Sequence, residues 1–351
     1  MNKLTKIILA AILVVGAIVG ILAGVGLFTS SKSSSTTLPN SNNDSNSSST
    51  PVPNSGNSTV REGHPDRPST CKPVEPGKRL AVFWLTEVDG CETVSMQTIF
   101  LVPDGVTHVY FAFAEIKAGL VNQSFQTGDT NVTKCVTALR KRCIFSLGSV
   151  GGALANKYMK TIKDPDAFAK SGMALIEKFK FDGIDMDDES VGSDFDGTRV
   201  LAYMKALYTA MKSNGKNYLL TYDAFMYEGN LDTCKDAWYI RCWPVGLDKY
   251  IDWVNVMAYN INDKNDTANA MYLAATKPGD IFSRFADLVT APKVTIGICS
   301  TGGCAYGPGP STTVVASWTK WAENYGGMMV WVASRDYTHD YEYTNLIIKS
   351  Q

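Results

Sequence analysis

Short β-rich runs recur along residues 71–351, and each is followed by a stretch with the periodicity of an amphipathic helix. The runs are Leu80–Thr86, Thr107–Ala114, Arg142–Gly148, Phe181–Asp187, Tyr218–Ala224, Ile251–Tyr259, Lys293–Ile298 and Gly327–Val332. Helix candidates between them include 164–179, with Asp164 as N-cap, and 196–213. Eight alternations of strand and helix over about 250 residues predict an α/β fold, a single (β/α)8 TIM barrel. Seven or nine strands would instead indicate an open doubly wound sheet.

The first 29 residues have a different pattern, because their apolar positions cover every face of a helix. An uncharged stretch over residues 7–28 follows Lys3 and Lys6, and it is long enough to span a bilayer, which needs about 20 apolar residues. No A-x-A cleavage site closes the stretch, which favours an uncleaved signal anchor over a signal peptide. The positive-inside bias then predicts a type II membrane protein with a transmembrane helix and an extracellular or lumenal domain. If the segment is cleaved, the protein is secreted.

Residues 30–70 consist mostly of Ser, Asn, Thr and Pro and lack the large apolar residues that would offset the entropy of ordering. We therefore predict a disordered linker, followed by one globular domain over residues 71–351. Asn-x-Ser/Thr sequons occur at Asn43, Asn46, Asn57, Asn122, Asn131 and Asn265, which predicts a glycoprotein if the host is eukaryotic.

Composition and charge narrow the range of functions. The chain is 45% hydrophobic, so it can bury a core, and its 33 Lys+Arg against 34 Asp+Glu give a formal net charge of -1. That balance offers no basic surface for nucleic acid. No G-x-G-x-x-G follows the first predicted strand and no G-x-x-x-x-G-K-[ST] occurs, so nucleotide binding has no support. We expect a monomer.

All eight cysteines follow the linker, and they fall into near neighbours along the chain. An even number behind an export signal is typical of disulfides in an oxidising compartment. Zinc binding is the alternative, but the chain has no C-x-x-C and only three histidines. Spacing does not determine connectivity, so the sequential pairing is a working guess: Cys71–Cys91, Cys135–Cys143, Cys234–Cys242 and Cys299–Cys304.

The fourth predicted strand carries a ladder of acids. Alternate residues of a strand share a face, so Asp185, Asp187 and Glu189 lie on one side while Ile184 and Met186 lie on the other. We expect the apolar pair to pack against helices and the acids to face the mouth of the barrel. Like charges and burial raise the pKa of a carboxyl, as a general acid requires. A calcium loop or an exposed acidic turn is the alternative, but the loop glycine is missing.

These residues carry a resemblance to glycoside hydrolase family 18, the chitinases and endo-β-N-acetylglucosaminidases. The run Asp182-Gly183-Ile184-Asp185-Met186-Asp187-Asp188-Glu189 resembles the family signature D-G-x-D-x-D-x-E. In family order, Ser146-Leu147-Gly148-Ser149 resembles the S-x-G-G of the third strand, with Ser149 departing from the last glycine. Met257-Ala258-Tyr259-Asn260 resembles the M-x-Y-D/N of the sixth, and Gly326 to Trp331 resembles the eighth strand with its tryptophan. The resemblance covers residues 78–340.

The resemblance implies a mechanism that needs no metal and no organic cofactor. Glu189 would protonate the glycosidic oxygen, and the 2-acetamido oxygen of the substrate would attack the anomeric carbon in place of a protein carboxylate. Asp187 would orient the acetamide, and Asp185 would share a proton with Asp187. Tyr259 would hydrogen-bond the acetamide oxygen, and Trp331 would form the apolar floor beneath the sugar.

Further residues are expected at the substrate. The motif positions are Asp182, Ser146, Gly148, Met257 and Asn260. Trp84 and Tyr222 are aromatic candidates, because flat apolar rings suit sugar faces.

Three substrates or functions stay open. The short connection between the seventh and eighth strands predicts that the small α+β insertion of many processive chitinases is absent, which favours an open cleft for chitin or chito-oligosaccharides. Asp188 occupies a position that is usually aromatic or aliphatic in chitinases, and Asp-Asp-Glu is similar to endo-β-N-acetylglucosaminidases that cut the N-glycan chitobiose core. A glycan-binding lectin without turnover is the third reading, although such members commonly lose the acid that Glu189 provides.

Overall fold

A computed structural model of the protein describes residues 62–86, 102–126, 128–236 and 240–351. The predicted anchor at residues 7–28 and most of the predicted linker lie outside this part of the chain. Within the described ranges, no helix combines the length and the apolar character that crossing a membrane requires.

Eight parallel strands form a closed barrel in the part of the chain that the structure describes, as the alternation predicts. They are β1 (Arg79–Leu85), β2 (His108–Ala114), β3 (Phe145–Gly151), β4 (Gly183–Asp187), β5 (Leu219–Phe225), β6 (Trp253–Met257), β7 (Val294–Cys299) and β8 (Gly327–Trp331). Each strand pairs with the next along the chain, and β1 pairs with β8 to close the barrel. A two-stranded antiparallel hairpin, Ile116–Lys117 with Leu120–Val121, follows β2.

Helices follow most of the strands. The described ones are α1 (Asp129–Lys141), α2 (Asn156–Met159), α3 (Pro165–Phe179), α4 (Gly197–Lys212), α5 (Asn265–Ala274), α6 (Ile281–Val289), α7 (Thr312–Ala322), α8 (Ala333–Asp336) and α9 (Glu342–Ser350). Helix α3 begins where the sequence predicts, because the Asp164 carboxylate accepts hydrogen bonds from the first free backbone N–H groups. Asp196 caps α4 in the same way.

Two apolar cores result from the alternation of side chains along the strands. The outer core lies between strands and helices and includes Ile184 and Met186 of β4. The inner core fills the lumen, where its buried members include Phe83, Tyr110 and Trp253. Because β4 places its apolar side chains in the outer core, its acids face the lumen, as predicted.

The connection between β7 and β8 is short. Residues 300–326 hold α7 and no strand. The α+β insertion is therefore absent between these strands, as predicted, and nothing from this connection deepens the mouth of the barrel.

Residues 62–70 pack against the barrel, so the predicted boundary between linker and domain at residue 71 lies too late in the chain. The backbone N–H of Gly63 donates to the Asn217 carbonyl at 3.0 Å, and that of His64 donates to the Asp182 carboxylate at 2.9 Å. Arg67 donates to the Cys143 carbonyl. These partners directly precede β5, β4 and β3, so the segment crosses the amino ends of the strands.

The same segment corrects two predicted disulfides. Cys71 pairs with Cys143, with 5.2 Å between their Cα atoms, so the predicted Cys71–Cys91 and Cys135–Cys143 bonds are wrong. Cys135 is disulfide-bonded as well, and Cys91 lies outside the described residues. The Cys234–Cys242 and Cys299–Cys304 bonds are confirmed. Pairing the cysteines by proximity along the chain gave the wrong partners, because residues 62–71 run past the amino end of β3.

We expect the Cys71–Cys143 bond to stabilise the fold more than the short-range bonds do, because it closes a loop with a sequence separation of 72 against 8 for Cys234–Cys242. Loop-closure entropy assigns about 4 kcal/mol to the long loop and about 2.5 kcal/mol to the short one. Urea unfolding of the two double Cys→Ser variants measures this difference. An equal or smaller loss for the Cys71/Cys143 variant would contradict it.

Candidate active site

The predicted acid ladder lies at the carboxyl end of β4, where barrel enzymes carry their active sites. Asp185 is fully buried, Asp187 is 4% exposed, and Glu189 is partly exposed. The three carboxyl groups thus lead from the interior of the barrel to its mouth. The structure brings them together as the strand alternation predicts.

Asp185 is the innermost acid, and hydroxyl and amide groups of three neighbouring strands surround it. Its carboxylate accepts hydrogen bonds from Ser149 Oγ at 2.7 Å, Thr221 Oγ1 at 2.5 Å and Asn255 Nδ2 at 3.3 Å. Burial raises the pKa of Asp185, and the hydrogen bonds from Thr221 and Ser149 oppose that rise. This carboxyl has no solvent contact.

Asp223 of β5 is a member of the site that the sequence analysis missed. It is 1% exposed and accepts a hydrogen bond from Asn255 Nδ2 at 2.8 Å. Asp185 and Asp223 also influence each other's pKa, because their carboxyl groups are neighbours on the inner side of the barrel. Burial, followed by the charge of Asp185, raises the pKa of Asp223 well above its usual range. An acid within the buried, mostly apolar strand Leu-Leu-Thr-Tyr-Asp-Ala-Phe was the available signal.

Asp187 and Glu189 form a second carboxyl pair, closer to the mouth. Burial and then the charge of Glu189 raise the pKa of Asp187 well above its usual range. Burial raises the pKa of Glu189 to about 7, although the charge of Arg241 and hydrogen bonds from Asp187 and the Ala153 N–H lower it. Asp187 Oδ1 has no hydrogen-bond partner among the described residues. The pair can therefore carry one proton near neutral pH, and it leaves one oxygen for a ligand.

Strand β3 corrects the predicted S-x-G-G match. The strand continues to Gly151, and Ser149-Val150-Gly151-Gly152 is a complete S-x-G-G run at its end. Ser149 therefore contacts Asp185, whereas Ser146 is buried lower in the strand. Gly148 faces the helix layer, where a Cβ would lie 2.9 Å from side-chain atoms of Leu175 and Phe181.

The two glycines after Ser149 are required by close contact with β4. The Gly152 N–H donates to the Asp187 carbonyl at 2.9 Å. A Cβ on Gly151 would lie 2.1 Å from that same carbonyl oxygen, and its φ of +121° also disfavours other residues. The turn after β3 can therefore bring the Ala153 N–H to Glu189.

Tyr259 and Trp331 lie on the inner side of the barrel with Met257, as the resemblance implies. Burial, with the charges of Asp223 and Asp187, raises the pKa of Tyr259 well above its usual range, so its hydroxyl keeps its proton. Trp331 is partly exposed, and its Nε1 donates to the Gly303 carbonyl at 2.9 Å. The Trp331 ring lies flat against Phe113, with 5.6 Å between centroids. Trp331 and Phe113 thus form an aromatic surface on the inner side of the barrel.

Four other predicted residues are not brought to the acids. Asp182 lies at the amino end of β4, where it accepts from the backbone N–H groups of His64 and Ser146. Trp84 and Tyr222 belong to the outer core. Asn260 Oδ1 accepts from the N–H groups of Ala305 and Tyr306 at 2.8 and 3.0 Å, so it holds the loop closed by Cys299–Cys304.

Asp188 points away from Asp187 and Glu189, as strand alternation requires. It is fully buried and accepts from Ser190 Oγ at 2.5 Å and from the Tyr203 hydroxyl at 2.9 Å. Across the ranges that the structure describes, no group of three or more His, Cys, Asp or Glu is arranged to hold a metal ion.

Comparison with known proteins relates this geometry to one family. The family model described as glycosyl hydrolases family 18 matches residues 80–288. Chitinase C of Streptomyces lividans is 28% identical over 193 residues, which cover 45% of this chain and 30% of that protein. A class V chitinase of Lotus japonicus is 24% identical over 208 residues, which cover 54% of this chain and 49% of that protein. The chain thus spans less than half the length of either relative.

Solved structures share the fold. A family 18 chitinase from Cycas revoluta in complex with allosamidin superposes with a TM-score of 0.59 at 18% identity, over 78% of this chain and 99% of that one. The same enzyme has been solved with (GlcNAc)3, at a TM-score of 0.59 and 18% identity over the same shares of the two chains.

We expect Glu189→Gln to stabilise the folded protein at pH 8 and to leave its stability at pH 4 nearly unchanged. The pKa of this carboxyl rises from 4.5 to about 7 on folding. The protein therefore loses stability as pH increases through that window, because the folded state holds a proton that the unfolded state releases. The neutral amide removes this penalty, which is on the order of 1–3 kcal/mol. Urea unfolding at both pH values measures it, and equal stabilities at pH 8 would contradict the assignment.

Proposed function

The chain belongs to glycosyl hydrolases family 18 and is a glycosidase, and on that premise we propose that it cleaves β-1,4-linked N-acetylglucosamine by substrate-assisted retaining catalysis. One observation carries the proposal. Glu189, with a pKa of about 7, stands beside Asp187, whose Oδ1 has no hydrogen-bond partner in the described part of the chain. A proton donor and an acceptor for an amide N–H are thus available at one place.

In the proposed first step, Glu189 donates its proton to the glycosidic oxygen while the C1–O bond breaks. The 2-acetamido oxygen of the substrate attacks C1 from the opposite face, and a bicyclic oxazolinium ion forms. Asp187 accepts the acetamide N–H through its open oxygen, which stabilises the positive charge of the ion. The Tyr259 hydroxyl donates to the acetamide oxygen and orients it for attack.

In the second step, the Glu189 carboxylate takes a proton from water as the water attacks C1 and opens the oxazolinium ring. This returns the proton to Glu189 and gives a product with retained configuration. The inner pair, Asp185 and Asp223, shares a hydrogen-bond donor, Asn255. Because the charge of Asp185 raises the pKa of Asp187, a negative charge on Asp187 is favoured when Asp185 is protonated.

Several observations support chito-oligosaccharides as the substrate class. The relatives named above are chitinases, and a structural neighbour holds (GlcNAc)3. The connection of residues 300–326 adds no strand beside the mouth, which suits an open cleft. The N-glycan hypothesis rested on Asp188, and the contacts of this fully buried residue with Ser190 and Tyr203 give that hypothesis no support.

We propose that the barrel acts outside the cytoplasm, either anchored through residues 7–28 or released by cleavage. Disulfides in the described residues support an oxidising compartment. The sequons at Asn122, Asn131 and Asn265 occupy partly or fully exposed positions, which supports glycosylation in a eukaryotic host. A membrane-impermeant lysine label should modify the protein on intact cells or in the medium, and labelling only after lysis would contradict the proposal.

For the proposed reaction, we expect Glu189→Gln to lower the turnover of chitotetraose by roughly 10²-fold to 10⁴-fold, the range typical of a lost general acid. Binding of the tetramer should persist, because the amide keeps the shape of the site. Product release by chromatography and binding by calorimetry measure the two effects. Glu323→Gln is the control, since this exposed acid pairs with Lys78 at the opposite end of the barrel.

Two further substrates separate the alternatives. A high-mannose N-glycoprotein cleaved in preference to chitotetraose would assign the protein to the N-glycan core. De-N-acetylated tetramer should resist cleavage, because it lacks the oxygen that attacks C1, and its hydrolysis at the rate of chitotetraose would overturn the substrate-assisted mechanism. Binding without products from either glycan would assign the protein to the lectins.

A further inference from the structure

Arg241 is a fully buried arginine in the segment between β5 and β6, on the outer side of the strand that carries the acids. Its Nε donates to Glu228 Oε1 at 2.6 Å, Nη1 donates to the Ser190 carbonyl at 2.8 Å, and Nη2 donates to the Tyr222 hydroxyl at 2.5 Å. The guanidinium also lies over the Phe195 ring, 4.6 Å from its centroid. Every nitrogen of this cation therefore has an assigned partner.

The segment that carries Arg241 is held at both of its ends. Cys242, the next residue, is disulfide-bonded to Cys234. Glu228 Oε1 accepts the Phe225 N–H at 2.8 Å at the end of β5, and the Trp243 N–H donates to the Glu228 carbonyl at 3.1 Å. The position of the cation is thus determined by the barrel and not by a mobile side chain.

Asp188 faces this cation from β4. Its Oδ1 lies 3.5 Å from Arg241 Nη1, and both side chains are fully buried. Asp188 stands between Asp187 and Glu189 in the chain, but on the opposite face of the strand. A buried anion and a buried cation therefore lie across the β4 backbone from the proposed acid, in a region where water screens charges little.

Such a cluster is a costly way to stabilise a fold. Replacing buried ion groups by well-packed apolar residues is often neutral or stabilising, so their presence alone does not explain stability. Their location is specific, because Arg241 contacts Ser190 and Asp188, the two residues that flank Glu189 in the chain.

We propose that Asp188 and Arg241 are positioning residues that act in opposite directions to set the pH range over which Glu189 holds its proton. This inference rests on the proposed function for its catalytic consequence. The cation, held by Glu228, favours the carboxylate of Glu189, and the Asp188 anion favours the protonated acid. Asp188 would thus be a tuning residue of the acid and not a contact to the glycan.

The charges around Glu189 agree with this balance. Burial is the main cause that raises the pKa of Glu189, the Arg241 charge is the largest opposing influence, and Asp188 raises it. Titratable groups surround Glu189, Asp187, Asp188 and Arg241 from several elements. Asp185, Asp187 and Asp188 belong to β4 and its end, and Tyr203 belongs to α4. The others are Tyr222 and Asp223 of β5, Glu228 and Arg241 of the segment after β5, and Tyr259 after β6.

The test compares Asp188→Asn with Arg241→Met. General-acid catalysis is lost as pH rises through the pKa of Glu189, about 7 in the unaltered protein. Asp188→Asn removes the influence that raises this pKa, so the alkaline limb of kcat should move to lower pH. Arg241→Met removes the opposing influence, so the limb should move to higher pH. We expect the ratio of activity at pH 8 to that at pH 6 to fall roughly threefold for the first variant and to rise by a similar factor for the second.

Carboxyl carbon NMR gives a second readout that needs no turnover. The Glu189 resonance, assigned by its loss in Glu189→Gln, should titrate at lower pH in Asp188→Asn and at higher pH in Arg241→Met. If chitotetraose is not cleaved by the unaltered protein, the proposed function fails, yet the titration still decides this inference. Where Arg241→Met does not fold, the isosteric Asp188→Asn alone decides it.

Arg79→Met is the control, because it removes a partly buried arginine that lies over Trp253 near the amino end of the barrel. It should lower stability and leave the pH profile in place. Opposite displacements in the two test variants would support the proposal. Displacements in the same direction, or stability losses with an unmoved profile and unmoved titration, would overturn it and leave the cluster a structural role.

Discussion

The carboxyl groups on β4 cannot all be charged at once, and the neighbouring strands accommodate that constraint. Asp185 and Asp187 are almost wholly removed from water, where two adjacent anions would be costly. Strand β3 supplies a hydroxyl from Ser149, and β5 supplies Thr221. With these donors, and with pKa values raised enough to keep some of the carboxyl groups protonated, the lumen holds several acids without a metal-ligand cluster in the described residues.

The fold produces this chemistry through burial. For each acid of the site, burial is the leading cause of the raised pKa, and burial depends on the aromatic residues that fill the lower lumen. Trp253 Nε1 donates to the Tyr110 hydroxyl at 3.0 Å, so the polar atoms of these two large side chains are paired with each other. The segment 62–70 then covers the amino ends of three strands. Burial thus both stabilises the amino end of the barrel and raises the pKa values of the acids at the carboxyl end.

Much of this was predictable where short-range patterns determine the outcome. The eight strands follow from the hydrophobic runs. The alternation of side chains along a strand determines that Asp185, Asp187 and Glu189 lie on the same face. The same rule explains the error at β3. The predicted match began three residues too early and assigned the lumen position to Ser146. Because three is an odd number, Ser146 lies on the opposite face of the strand from Ser149. The local pattern marks Asp223 as an unusual acid within a strand, but it does not give its neighbours. Those neighbours, like the Cys71–Cys143 bond, depend on which distant segments meet.

The signature D-G-x-D-x-D-x-E describes only one face of β4, and the other face distinguishes this chain. Asp188 occupies an unspecified position of that signature, yet it is as buried as Asp185. A buried anion there needs partners, and Tyr203 of α4 and Arg241, 53 positions further along the chain, provide them. Because a strand is a single layer, a charge on its outer face lies within a few ångströms of the inner acids. The two faces of this strand are therefore electrostatically one site, although only the inner one can contact a sugar.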